Sequence, residues 1–208
     1  SMVIVKNRTS ALSGSAGAHW VVKHKSIGMT ASGSASQLFL SLTNASSNND
    51  HGTLITNGST LLQIKSGSFS PNYFHVGGTG NNYIAYCFAE IKGFSKFGSY
   101  TGNNSNDGPF LYMGFKPAFV LIKATNTTQW WTLLDNKRDT YNVATLGISP
   151  NSSNSESTFN TDRGPHNMDF VSNGLKIRTD NSGINGTNSF IYMAFAENPF
   201  VTSTSIPT

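Results

Sequence analysis

Short runs of β-branched and aromatic residues alternate along this chain with clusters of Gly, Asn and Ser, and no stretch carries apolar residues at helical spacing. Such runs, bounded by turn formers, predict strands. In the first half they fall at Val3–Lys6, Trp20–His24, Leu38–Leu42, Leu61–Lys65, Tyr73–Val76 and Tyr83–Glu90. In the second half they fall at Phe110–Gly114, Phe119–Lys123, Trp130–Leu134, Thr145–Ile148, Met168–Val171, Leu175–Arg178 and Phe190–Glu197. Ser172-Asn173-Gly174 predicts a hairpin turn, because Asn and Gly tolerate positive φ. The expected fold class is all-β.

Two of these runs occur twice. Tyr83-Ile84-Ala85-Tyr86-Cys87-Phe88-Ala89-Glu90 returns as Phe190-Ile191-Tyr192-Met193-Ala194-Phe195-Ala196-Glu197. Met2-Val3-Ile4-Val5-Lys6 returns as Phe119-Val120-Leu121-Ile122-Lys123, and Trp20-Val21-Val22 matches Trp131-Thr132-Leu133. Shared opening and closing strands predict two copies of one unit. The expectation is a pair of tandem β-sandwich units, jelly-roll or lectin-like, over 1–92 and 93–208. The second copy has a lead-in before its opening strand, Phe97–Asn103, then Pro109–Phe115 and Lys116-Pro117, and the first has none. Either the chain is cut within a longer array, or another segment such as Asn198–Thr208 fills that edge.

Strand alternation sorts the closing strand into two faces. Ile84, Tyr86 and Phe88, with Ile191, Met193 and Phe195, are the bulky set expected to face the core. Ala85, Cys87 and Ala89, with Tyr192, Ala194 and Ala196, are expected to lie under a close neighbour. Cys87 then reads as a small buried filler.

Composition narrows the partners. Only 12% of the residues are charged, so Asn, Ser, Thr and Gly must supply the polar surface. The net charge of +4 is spread singly, without the basic stripe that nucleic-acid binding needs. One cysteine allows no internal disulfide, and no apolar run is long enough for membrane insertion.

Three runs carry a family resemblance: Tyr83–Glu90, Gly93-Phe94-Ser95-Lys96-Phe97-Gly98-Ser99-Tyr100-Thr101-Gly102-Asn103, and Gly114-Phe115-Lys116-Pro117-Ala118-Phe119-Val120-Leu121-Ile122-Lys123. Together they resemble repeat domains in structural proteins of marine tailed phages, of the tail-fibre or tail-associated kind. The resemblance implies a virion protein with a β-sandwich or jelly-roll-like fold, oligomeric and in contact with other virion proteins. It supplies no activity and no catalytic residues.

No catalytic constellation emerges from the residues themselves. His19, His24, His51, His75 and His166 are dispersed, and no Gly-x-Ser-x-Gly elbow or zinc pattern is present. Glu90 and Glu197 end the repeated strand, one in each expected unit, which suits structural pairing with lysine or backbone better than opposed acid and base. Asn103, Asn104, Asn106 and Asp107 form an oxygen-rich loop and are the calcium candidates, with turn formation as the competing role. Otherwise no cofactor is expected. Trp130 and Tyr141, with Asp135, Asn136, Arg138 and Asp139 between them, mix aromatic rings and polar groups as sugar sites do. Three functions therefore stand in order. The first is a non-enzymatic tail-fibre or receptor-binding module contacting a host-surface glycan. The second is a structural decoration or connector domain whose exposed aromatics make subunit contacts. The third is a glycan depolymerase.

Overall fold

Alternating β-branched and aromatic positions form strands throughout the computed structural model, which describes residues 1–9, 19–28, 36–47, 81–156 and 164–199 and the backbone of Thr53–Asn57 and Leu61–Lys65. The protein is all-β, and among the described residues every strand pairing is antiparallel. A 3₁₀ turn forms at Lys25–Ile27, where the His24 ring accepts the Ser26 N–H. The expected strand Tyr73–Val76 lies outside the described residues. The chain divides into two compact units, Ser1–Phe88 and Ala89–Thr208.

In the first unit, β1 (Met2–Asn7), β2 (Val21–His24), β3 (Leu38–Phe39) and β6 (Tyr83–Phe88) form a sheet of order β3-β2-β1-β6. β4 (Thr53–Asn57) and β5 (Leu61–Lys65) pair as a hairpin. Val3, Val5, Val21 and Phe39 form a small apolar cluster on one face.

Among its described residues the second unit has two sheets. β7 (Ser95–Thr101), β9 (Pro117–Ala124), β10 (Thr132–Asp135), β11 (Gly147–Ile148) and β14 (Ser189–Ala196) make one, in the order β11-β10-β9-β14-β7. β8 (Phe110–Tyr112), β12 (Met168–Val171) and β13 (Gly174–Ile177) make the other, in the order β12-β13-β8. A single core draws on both: Val120, Ile122, Leu134, Phe190, Tyr192 and Ala194 from the larger sheet, and Leu111, Met168, Phe170, Leu175 and Ile177 from the smaller. Fully burying each large side chain contributes about 1.5–3 kcal/mol, so this shared core is the main source of stability in the unit.

The repeated strands pair in one register. Val3 faces Cys87, Ile4 faces Tyr86 and Val5 faces Ala85 across β1 and β6. Val120 faces Ala194, Leu121 faces Met193 and Ile122 faces Tyr192 across β9 and β14. β2 and β10 follow the same rule, with Val22 on Ile4 and Leu133 on Leu121. Sequence repetition is therefore repetition of strand order and register, residue by residue.

Several expectations are corrected. The facing of β14 is reversed: Tyr192 and Ala194 point into the shared core, because the smaller sheet supplies bulky Met168, Phe170 and Leu175 opposite them. Ile191 and Met193 are buried on the other face, so both faces of β14 are covered. Cys87 is exposed, because β6 is an edge strand whose one pairing neighbour among the described residues is β1. Trp20 is half-buried, stacked on Tyr86 with Lys6 over its ring, whereas its counterpart Trp131 is 1% exposed. In the β12–β13 hairpin neither Asn173 nor Gly174 has positive φ. Gly174 is required for another reason: a Cβ there would lie 2.2 Å from the Leu111 carbonyl oxygen on β8. β4 and β7 were not among the expected strands: the Thr53-Leu54-Ile55-Thr56 run was passed over, and in β7 Ser95, Gly98 and Ser99 dilute the apolar pattern.

Candidate functional site

The second unit carries a surface pocket where the end of β10 meets the loop leading towards β11. β10 ends at Asp135, and the next residue, Asn136, turns inward because its N–H donates to the Ala118 carbonyl at 3.0 Å. Lys116, Asn136, Asp139, Tyr141, Asn142 and Phe170 line a cavity of about 150 Å³.

Asn136 is anchored by its side chain as well. Its Nδ2 donates to Glu197 Oε1 at 2.6 Å, and Glu197 Oε2 pairs with Lys116 Nζ at 2.9 Å. A carboxylate can only accept, so this contact fixes which way the amide points. Oδ1 is left buried with no hydrogen-bond partner. An orphaned buried acceptor is costly and stands out against the general rule of satisfaction. The Lys116 hydrogen bond and charge, joined by Lys137 and Asn136, outweigh burial and hold the Glu197 pKa below its ordinary value.

Asp139 is the second acceptor. One of its oxygens, Oδ2, takes the Thr145 N–H at 2.6 Å, the Thr145 hydroxyl at 3.1 Å and the Leu146 N–H at 3.0 Å. Burial alone would raise its pKa, but these three donors outweigh it and the pKa is lowered. Asn142 braces the opposite wall by exchanging hydrogen bonds with the Phe170 backbone at 2.9 and 3.1 Å. Tyr141 is 84% exposed at the rim. The arrangement offers fixed acceptors, one ammonium and an aromatic ring.

Of the six residues singled out from the sequence, Asn136, Asp139 and Tyr141 line this pocket. Asp135 and Arg138 do not. They pair with each other at 2.8 Å, and Arg138 also reaches Glu156. Trp130, 37% exposed, stands before β10 and Asn136 after it, so the two are separated by about 20 Å of extended chain. Sequence reasoning missed Lys116, Asn142 and Phe170. Lys116 lies before β9 and Phe170 on β12, so no local spacing links them to the loop.

The calcium candidates serve the fold. Asn103 Oδ1 accepts from Ser105 N–H and from Asn185 Nδ2, and Asn106 Oδ1 accepts from Asp180 N–H. Asp107 Oδ1 pairs with the Lys176 ammonium at 2.6 Å. Among the described residues no cluster of His, Cys, Asp and Glu is suited to a metal ion. Glu90 lies in the second unit with Glu197, not one in each, and it too is engaged, with Lys96 at 2.9 Å and Phe97 N–H at 3.2 Å.

The fold and pocket define an all-β protein of two units with a small, partly satisfied polar site on the second. Residues 1–199 match the family described as a domain of unknown function, DUF7483, and the chain belongs to that family. Neither a curated protein nor a solved structure matches it.

Proposed function

We propose that the chain is a non-catalytic recognition module, built as two tandem β-sandwich units, that binds a host-surface glycan from the surface of a virion. The virion setting, of tail-fibre type, rests on the resemblance of the three runs around Tyr83–Glu90, Gly93–Asn103 and Gly114–Lys123. The binding reading rests on one observation: Asn136, Asp139 and exposed Tyr141 line, with Lys116, one pocket about the size of a single sugar ring. Asp139 accepts a ligand hydroxyl, Lys116 donates to a ring or hydroxyl oxygen, and Tyr141 stacks on the apolar face of the sugar. The Asp139 carboxylate, with Lys116 already neutralised by Glu197, favours a neutral sugar over an anionic one. No proton transfer is assigned, since Glu90 and Glu197 are each tied to a lysine.

A glycan array followed by calorimetry tests this. Neutral hexose-containing glycans are expected to bind weakly, and Asn136→Leu, which replaces a polar lining side chain by an apolar one, is expected to abolish binding with the fold retained. Tyr141→Ala is expected to weaken binding about tenfold, the loss of roughly 1.4 kcal/mol of stacking. Binding that survives Asn136→Leu overturns the site. Failure of every glycan to bind favours the structural reading, in which exposed Phe110 and Tyr112 on edge strand β8 meet another virion subunit. Release of reducing ends from envelope polysaccharide would instead establish a depolymerase.

A further inference from the structure

The geometry points to an intramolecular amide cross-link between Lys116 and Asn136, formed with loss of ammonia and assisted by Glu197. Three strand ends converge to place these groups. The Asn136 N–H after β10 donates to the Ala118 carbonyl at 3.0 Å, and the Glu197 N–H after β14 donates to the Lys116 carbonyl at 2.9 Å. The short segment entering β9 is thus tied to both neighbours through its main chain. A single carboxylate then holds the two side chains. Glu197 Oε2 takes the Lys116 ammonium at 2.9 Å, and Oε1 takes the Asn136 amide at 2.6 Å. Glu90, the sequence counterpart of Glu197, also pairs with a lysine, but its other oxygen takes the Phe97 backbone N–H. The carboxamide beside the pair is what sets Glu197 apart.

Amine and carboxamide held against one carboxylate meet as an intramolecular pair, which removes the entropic cost of bringing them together. Among the described residues the Asn136 amide makes one hydrogen bond, the one to Glu197, so its carbonyl side is not pinned. Asn136 is buried, which limits the access of water to Cγ. The steps balance without a co-reactant. The Lys116 ammonium passes one proton to Glu197, and the freed Nζ attacks Asn136 Cγ. Glu197 relays a second Nζ proton to Nδ2, the Cγ–Nδ2 bond breaks, and ammonia leaves with the first proton as ammonium. The Glu197 carboxylate is restored. The new bond ties the ends of β9 and β10 and constrains the unfolded chain as a disulfide does. A single cysteine gives this chain no internal disulfide, and the amide needs no oxidant. An amide N–H remains on Lys116, so the donor of the glycan reading is kept, and neither proposal requires the other.

Mass spectrometry of the intact chain, purified and kept folded, tests this without any ligand. The chain is expected to be lighter than its sequence by one ammonia. Trypsin digestion after denaturation should then leave Phe97–Lys123 and Ala124–Lys137 as one joined pair, since Lys116 precedes a proline and is not cut. Lys116→Arg keeps the charge but replaces the nucleophile, and Glu197→Gln removes the proton relay. Both variants are expected at full sequence mass with the two peptides separate, and circular dichroism checks that their strands are retained. Should Glu197→Gln lose its fold, Lys116→Arg, altered at an exposed side chain, carries the comparison. A folded chain at full sequence mass overturns the proposal, and so does joining that persists in Lys116→Arg. Loss of ammonia with the peptides separate overturns it as well, because a cyclic imide at an asparagine accounts for that mass. Joining that persists in folded Glu197→Gln overturns the role of Glu197.

Discussion

β6 and β14 are one strand in two settings. Both pair with an opening strand in the same register, yet β14 is flanked by β7 and covered on both faces, while β6 ends its sheet. Residue type alone did not decide burial. Ala194 and Cys87 are similar small side chains at equivalent places, and one is 0% exposed while the other is open to solvent. What differs is supplied from elsewhere in the chain, by β7 on the edge and by β8, β12 and β13 across the core. A repeated sequence thus repeats pairing, and the surroundings determine which copy is scaffold and which is surface.

The largest test of that contrast is at the paired tryptophans. Trp131→Ala empties a fully buried position and is expected to cost about 3–5 kcal/mol in urea unfolding. Trp20→Ala removes a half-buried ring lying on Tyr86 and is expected to cost about 1 kcal/mol. Equal losses would mean that the two units bury the β2 and β10 entrances alike. The next effect comes from added volume. Ala194→Leu overpacks the shared core and should cost about 1–3 kcal/mol, whereas Cys87→Leu should change stability by less than about 0.5 kcal/mol.

Legibility followed the same line. β5 and β12 were readable to the residue, and β1, β9 and β14 nearly so, because β-branched and aromatic residues dominate their runs. β7 was not, since Ser95, Gly98, Ser99 and Thr101 look like a loop until β14 is known to lie beside them. Gly98 is small because the Tyr192 ring occupies the space where a Cβ would go, a constraint visible only in three dimensions. The pocket was legible in half. Asn136, Asp139 and Tyr141 share one loop and could be read together, and Asn142 beside them was passed over, but Lys116 and Phe170 arrive through tertiary pairing. Trp130 misled because adjacency in sequence runs along a strand and away from the loop.

Each unit also buries a lysine, and this gives a test by pH. Burial lowers the pKa of Lys23 and of Lys123 to about 8, each ammonium donating to a backbone carbonyl. The unfolded chain keeps these protons up to its ordinary value of 10.5, so it binds more protons than the folded chain between about pH 8 and 10.5. Stability therefore rises with pH in that window, by about 1 kcal/mol per lysine between pH 7 and 9. Tyr100 has the opposite sign. Complete burial raises its pKa well above 10, so above pH 10 the unfolded phenol ionises first and stability falls. Urea midpoints measured from pH 7 to 11 should rise and then drop. Lys123→Met should remove part of the rise through the second unit, and Lys23→Met through the first.

The finest test of the contrast is chemical and changes stability least. A thiol reagent needs access and a thiolate, and Cys87 has the access. Its labelling in the native chain should run within a few-fold of the rate in urea. A Cys87→Ala, Ala194→Cys variant places the same thiol at the equivalent register position, where the residue is 0% exposed. Labelling there must wait for β14 to separate from β7 or from the smaller sheet, so it should be slower by at least about a hundredfold, the population of a local opening near 3 kcal/mol. Comparable rates at the two positions would mean that β7 and the smaller sheet do not cover β14 in solution. The difference between scaffold copy and surface copy would then collapse, whatever the stability of the tryptophan variants.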